Sequence, residues 1–271
     1  MNSFKGIIFA GCSFTWGQGL HYYSDTESLK YPREDDSFHV HQMTNFHLKY
    51  MESKRFARLV ADNLKTVEFV NDRNGGNDKQ TIQYWVTTIG NHIHLPYSDF
   101  SHLVFQLTEP MRSHFDFELD GIEYSFIPSD LQIGGKNSDE FKKWLETNGF
   151  NFKNWYQLHI VQILELLKQK LIFFEEKGIE TSIMTWPEEY LDYIKKDVFL
   201  SERLISFQYK FINFESLESL MTIPEMKIST DKKNLKQKVY DDHPSLSCHQ
   251  IIAESIIKKL TKNDKTKLHS I

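Results

Sequence analysis

Disulfides cannot organise this chain. It has two cysteines, Cys12 and Cys248, in 271 residues, too few for a disulfide framework, and nothing points to an oxidising compartment. No uninterrupted apolar run approaches the ~20 residues that span a bilayer. An excess of positive charge is missing too: 32 Lys plus Arg stand against 37 Asp plus Glu, for a net charge of −5. That excludes a general nucleic-acid binder with a basic face. The apolar stretch Gly6-Ile7-Ile8-Phe9-Ala10 is too short for the core of a signal peptide, so the mature chain is expected to begin here and to be cytoplasmic. Metal-ligand clusters are also lacking. His39-Val40-His41, His47 and His92-Ile93-His94 lack a Cys or Asp/Glu cluster at ligand spacing and read as solvated or hydrogen-bonded histidines, with no metal or other cofactor expected.

Large side chains, by contrast, are abundant, with 21 Phe, 12 Tyr and 5 Trp, enough to require a real interior and to exclude global disorder. β-branched and aromatic runs predict strands at Lys5–Ala10, Val67–Asn71, His102–Leu107 and Glu180–Trp186, with a fifth at Lys210–Phe214. Helical spacing predicts helices at Ser53–Leu64, with Ser53 as N-cap, at Lys79–Gly90, at Trp155–Lys177 closed by Gly178, and at Ser247–Leu260. The dense turn signal Asp72–Asp78 follows the second strand. Residues 21–50 and 110–150 read as insertions, and Thr261–Ile271 as a frayed Lys-rich tail. Alternation of strands and helices, with no internal repeat or linker, predicts one α/β domain over 1–271 with a mainly parallel sheet. In such folds ligands bind at the carboxyl ends of the strands.

The loop after the first strand, Gly11-Cys12-Ser13-Phe14-Thr15-Trp16-Gly17-Gln18-Gly19, has neither G-x-G-x-x-G spacing nor a Lys for a phosphate loop. Ser13, among small residues at the sheet edge, reads either as a nucleophile or as a helix cap. Cys12 offers a thiol alternative, but neighbouring side chains point apart and at most one can face the site. A serine nucleophile needs a base and an orienter for it. Both are supplied by Asp241-Asp242-His243-Pro244-Ser245, expected in a loop before the last helix, with Pro244 holding the backbone after His243. His249 falls within that helix and reads as a packing or capping residue.

On the blocks Gly11-Cys12-Ser13-Phe14-Thr15-Trp16-Gly17 and Asp241 to His243, continued by Pro244-Ser245 and Cys248 to Ala253, the chain resembles the SGNH (GDSL-type) hydrolases. The resemblance lies at the two ends of the chain. It implies a three-layer α/β/α sandwich with a flavodoxin-like, mainly parallel five-stranded sheet. It further implies a serine esterase or deacetylase cleaving small acyl esters, typically acetyl on a carbohydrate, without a cofactor. Ser13 would be the nucleophile, His243 the base, and Asp241 the acid, preferred over Asp242 because it fits the D-x-H-P form. The partners implied are a small-molecule or carbohydrate ester, with no nucleic acid and no membrane.

The family's oxyanion hole uses three donors: the nucleophile's N–H, a Gly N–H after the second strand, and an Asn side chain after the third. Ser13 and Gly76 match the first two. The third departs, because Gln106-Leu107-Thr108-Glu109 stands where Gly-x-Asn-Asp is expected. Thr108 then takes the Asn slot, while Gly75-Gly76-Asn77-Asp78 carries the letters after the second strand, so Asn77 is a further donor. Arg112 reads as an anion contact or a surface salt bridge. Trp16 and Trp186 flank the strand ends as pocket lining or core. Two other functions stay open: an O-acyltransferase with the same residues, and a non-catalytic carbohydrate-binding or assembly protein. The last requires Ser13 and His243 beyond hydrogen-bond reach.

Overall fold

The computed structural model describes residues 5–24, 45–70, 77–83, 96–128, 137–231 and 238–268. Strand β1 (Gly6–Ala10) leads into the short helix α1 (Ser13–Trp16). Helices α2 (Asn45–Lys54) and α3 (Phe56–Leu64) precede β2 (Glu68–Val70). Residues 78–83 form α4, and β3 (Phe100–Leu107) follows. The hairpin β4 (Phe115–Leu119) and β5 (Ile122–Phe126) and helix α5 (Ser138–Asn148) then intervene. Helix α6 (Phe152–Glu176) and β6 (Glu180–Thr185) resume the alternation. Next come α7 (Leu191–Ile194), α8 (Val198–Arg203), the hairpin β7 (Phe207–Tyr209) and β8 (Ile212–Phe214), and α9 (Leu217–Leu220). The pair β9 (Lys227–Asp231) and β10 (Lys238–Pro244) runs into α10 (Leu246–Leu268).

The sheet follows from strands that are apolar on both faces. Side chains of β1 alternate between two cores, Ile7 and Phe9 entering one, Ile8 and Ala10 the other. Parallel pairing gives the order β2-β1-β3-β6. Phe56, Val60 and Leu64 of α3 and Ile252, Ile256 and Leu260 of α10 cover the first face. Ile163, Leu167 and Leu171 of α6 cover the second. Burying each such side chain contributes about 1.5–3 kcal/mol, so the two helix layers fix the sandwich.

Several elements differ from the sequence expectation. The sheet holds four strands among the described residues. Instead of adding a fifth strand, the expected Lys210–Phe214 segment folds back as β8 against β7, turning at Lys210 with φ 55°. Single parallel bridges, Ile183 to Leu204 and Thr185 to Ser216, extend the edge beyond β6. Ser53 does not cap α3: it lies inside α2, where its hydroxyl donates to the Tyr50 carbonyl at 2.7 Å. The chain breaks instead at Arg55, extended at φ −65° and ψ 148°, and the freed Phe56 N–H donates to His249 Nδ1 at 3.1 Å.

Asn151 caps α6 by accepting from the Asn154 N–H at 3.0 Å, so the helix begins at Phe152, three residues before the expected Trp155. The last helix runs on to Leu268 in place of the tail expected from Thr261. Of the first insertion, Leu20–Tyr23 is a 3₁₀ turn and α2 occupies its end; residues 25–44 lie outside the described residues. The second half of the expected Lys79–Gly90 helix and the 71–76 turn also lie outside them. The 110–150 insertion folds around its own core of Phe117, Leu119, Phe126 and Phe141. His243 sits in β10, not in a loop, where pairing with β9 loses register between Asp241 and Pro244.

Candidate active site

Ala10 pairs with Phe105 at the carboxyl end of the sheet, so Ser13 and Thr108 stand three residues beyond the same rung. Cys12, extended at φ −100° and ψ −158°, occupies the N-cap position of α1 without a side-chain cap. Ser13 is therefore the first helical residue and not the cap. Gln106 fixes this loop from below. Its Oε1 accepts from the Thr15 hydroxyl at 2.5 Å, and its Nε2 donates to Cys12 Sγ at 3.3 Å. Cys12 is thus turned to the interior, and the thiol alternative ends there. Gly11 is required by close approach: a Cβ at this position would lie 2.2 Å from Thr15 Oγ1 and 2.8 Å from Gln106 Cβ.

The hydroxyl of buried Ser13 lies 3.0 Å from His243 Nε2, in position to donate to the imidazole. Two features hold that ring. Ser245, two residues on, donates its N–H to the Met226 carbonyl at 2.8 Å and its hydroxyl to the Glu225 carbonyl at 2.6 Å. The Phe14 ring meets the imidazole edge-on at 5.1 Å, and Trp186 packs against Phe14 at 4.5 Å. Of the two adjacent acids, Asp242 is solvated, its side chain 93% exposed and 3.5 Å from Lys227 Nζ, a surface pair worth little. The Asp241 side chain lies outside the described residues, and its backbone pairs with Ile228. His249 belongs to the core: it is fully buried and stacked on Phe56. Burial first, then His243 and Arg55, pushes its imidazole down to about 3.

The segments after β2, β3 and β6 meet one another at the carboxyl end of the sheet through Asp78. Asn77 caps α4, its Oδ1 accepting from the Gln80 N–H at 2.8 Å, which leaves the amide NH2 as its donor end. Asp78 is buried, accepting from the Thr108 N–H at 2.7 Å and from the Tyr190 hydroxyl at 2.6 Å. Burial pushes its carboxyl up to about 7, opposed by those two hydrogen bonds and by the Arg112 charge. Thr108 is buried. Gly76 lies outside the described residues. Arg112 Nε is 3.7 Å from Glu109 Oε2, the surface salt bridge that is one of its two readings. Trp186 donates its N–H to the Leu107 carbonyl at 2.9 Å and packs against the first core. Trp16 is the half-buried last residue of α1. Among the described residues no group of three or more His, Cys, Asp or Glu side chains is placed to hold a metal.

Four residues of this constellation are given no role by the sequence alone: Phe14, Gln106, Asp78 and Tyr190. Three of them do stand in its motifs, Phe14 within the first block, Gln106 as a departure from a pattern and Asp78 as the last letter of one. Tyr190 had no local signal, because its partner is 112 residues away.

No protein-family model and no curated protein matches the chain. Among solved structures it is similar to phospholipase A1 from Streptomyces albidoflavus NA297, at 9% identity and a TM-score of 0.36, covering 95% of this chain and 98% of that one. At that identity and TM-score the likeness establishes neither a shared fold nor a shared activity.

Proposed function

We propose that the protein is a serine ester hydrolase acting through an acyl-enzyme at Ser13. The observation that carries this reading is the 3.0 Å contact between Ser13 Oγ and His243 Nε2 at the carboxyl edge of a parallel sheet. In the proposed reaction Ser13 Oγ attacks the ester carbonyl while His243 takes the hydroxyl proton. The tetrahedral oxyanion collapses, the carbon–oxygen bond to the leaving alcohol breaks, and His243 returns the proton to that alcohol. Water, deprotonated by His243, then attacks the acyl-enzyme, and the acid leaves as Ser13 regains its proton. Asp241, two residues before His243, is the proposed orienter of the imidazole. The Ser13 and Gly76 amides, with Asn77 or Thr108, are the proposed oxyanion donors.

The hydrogen-bonded pair supports catalysis over the non-catalytic carbohydrate-binding reading, which needs these groups apart. Resemblance to the SGNH hydrolases supports small acyl esters, acetyl on a carbohydrate among them, as substrates. Labelling with a fluorophosphonate probe tests the reaction class. Wild type should label, and Ser13→Ala and His243→Ala should not. A well-folded wild type that does not label would overturn the hydrolase reading. Acetyl-ester turnover with and without an added alcohol then separates hydrolysis from acyl transfer.

A further inference from the structure

We propose that Asp78 is a positioning residue, a role that rests on the hydrolase reading above: through the Thr108 amide it aims the Thr108 hydroxyl at the oxyanion formed on Ser13. The carboxyl group ties three parts of the carboxyl edge together. Asp78 itself opens α4 after β2, next to Asn77. Its Oδ1 accepts from the Thr108 N–H beyond β3 at 2.7 Å, and its Oδ2 from the Tyr190 hydroxyl beyond β6 at 2.6 Å. Asp78 is 1% exposed and Tyr190 0%, so water does not compete for these bonds.

A buried carboxyl is a costly way to join loops, since desolvating it consumes most of what its hydrogen bonds return. Its return is geometric definition. With the Thr108 N–H held inward, the hydroxyl is one rotatable bond away from a fixed Cα. Thr108 and Ser13 are each three residues past the rung that joins Ala10 of β1 to Phe105 of β3, and those two strands are neighbours ~4.8 Å apart. Ser13 opens the helix after β1 and Thr108 follows the end of the adjacent β3, so both stand at the same carboxyl edge, where a donor to the oxyanion belongs. The same geometry accounts for the Gln106-Leu107-Thr108 sequence. Gln106 is committed to Cys12 and Thr15, so the donor role on this strand falls to a short hydroxyl, whose aim depends entirely on its backbone.

A double-mutant cycle on p-nitrophenyl acetate hydrolysis tests this, using Thr108→Ala, Asp78→Ala and the pair in the full chain. Displacing a reacting group by about 1 Å costs on the order of a hundredfold in rate, so Asp78→Ala should lower kcat by about that factor with KM little changed. In the Thr108→Ala background the same substitution should cost less than about threefold, because the hydroxyl it aims is already gone. Asp78→Asn, whose amide oxygen still accepts the Thr108 N–H, should recover most of kcat. A stabilising role alone would multiply through the cycle instead of vanishing, and that result overturns the proposal. Full kcat in a folded Asp78→Ala protein overturns it as well. If Asp78→Ala does not fold, Tyr190→Phe takes its place in the cycle, and a kcat loss undiminished by Thr108→Ala counts against the proposal. An inactive, unlabelled wild type would instead remove the hydrolase reading itself, and this role with it.

Discussion

At the scale of single residues, packing under the Ser13 loop leaves no room for one carbon. In Gly11→Ala the new Cβ would meet Thr15 Oγ1 at 2.2 Å and Gln106 Cβ at 2.8 Å. Both neighbours are buried and joined to each other, so neither can yield cheaply. Overpacking of this kind costs about 1–3 kcal/mol. Urea unfolding should register that loss, together with slower fluorophosphonate labelling; unchanged values of both would refute the packing argument. His249 gives a second residue-scale prediction, about pH. Its imidazole lies at about 3 in the folded protein, below the unfolded value of about 6.5. The folded state holds the neutral ring, so the contribution of His249 to stability is intact above pH 6.5 and is lost as pH falls toward 3. One proton gives a slope of at most about 1.4 kcal/mol per pH unit in that window. His249→Asn retains an acceptor for the Phe56 N–H and should lose this slope. Urea titrations of both proteins from pH 7 to pH 4 check it, and parallel slopes would show that His249 does not carry the effect.

At the scale of elements, helix ends and strand periods were legible where local chemistry decides them. The long helix α6 closes as its sequence predicts: Gly178 takes φ 79°, donating to the Glu175 carbonyl at 2.9 Å while Ile179 donates to the Phe174 carbonyl at 3.1 Å. Since no atom lies within 4 Å of a Cβ added at Gly178, Gly178→Ala isolates the backbone preference. It should cost about 1 kcal/mol, read as a lower melting temperature with unchanged labelling at Ser13. A neutral substitution would mean that the left-handed residue does not matter to the helix end. Elsewhere a distant partner decided. The break between α2 and α3 falls at Arg55, where Phe56 gains both His249 and the interior, and no signal within residues 45–64 announces a partner at 249. The Lys210–Phe214 strand fails for a local reason. Its β-branched and aromatic composition predicts an extended segment, but the turn at Lys210 sends it back on β7 instead of into the sheet.

At the scale of the whole molecule, Ser13 and His243 were legible because each sits in a short pattern beside a predicted strand or helix. The supports around them were not. Gln106, Asp78 and Tyr190 act across 94, 30 and 112 residues respectively, and only the assembled sheet brings them together. The molecule also divides into parts with separate cores. Between β3 and α6 the chain leaves the sandwich and gathers Phe117, Leu119, Phe126 and Phe141 into a cluster separate from the two sheet cores. Phe141 is fully buried there, against Phe126 at 4.5 Å and Phe115 at 5.3 Å. Truncating a buried phenylalanine costs about 3–5 kcal/mol, more than a satellite core of this size can absorb. Phe141→Ala should therefore open the excursion locally and spare the sandwich, as cooperative units of low stability do. Hydrogen exchange would show this directly. The amides of β4, β5 and α5 should lose protection while those of β1, β3 and the second half of α6 keep theirs. Ser13 should still label, since its loop and His243 are anchored on β1 and β10. Loss of protection everywhere at once would instead make the excursion part of a single cooperative unit. Retained protection with faster labelling would make it a cover over the Ser13 edge that Phe141 helps to hold in place.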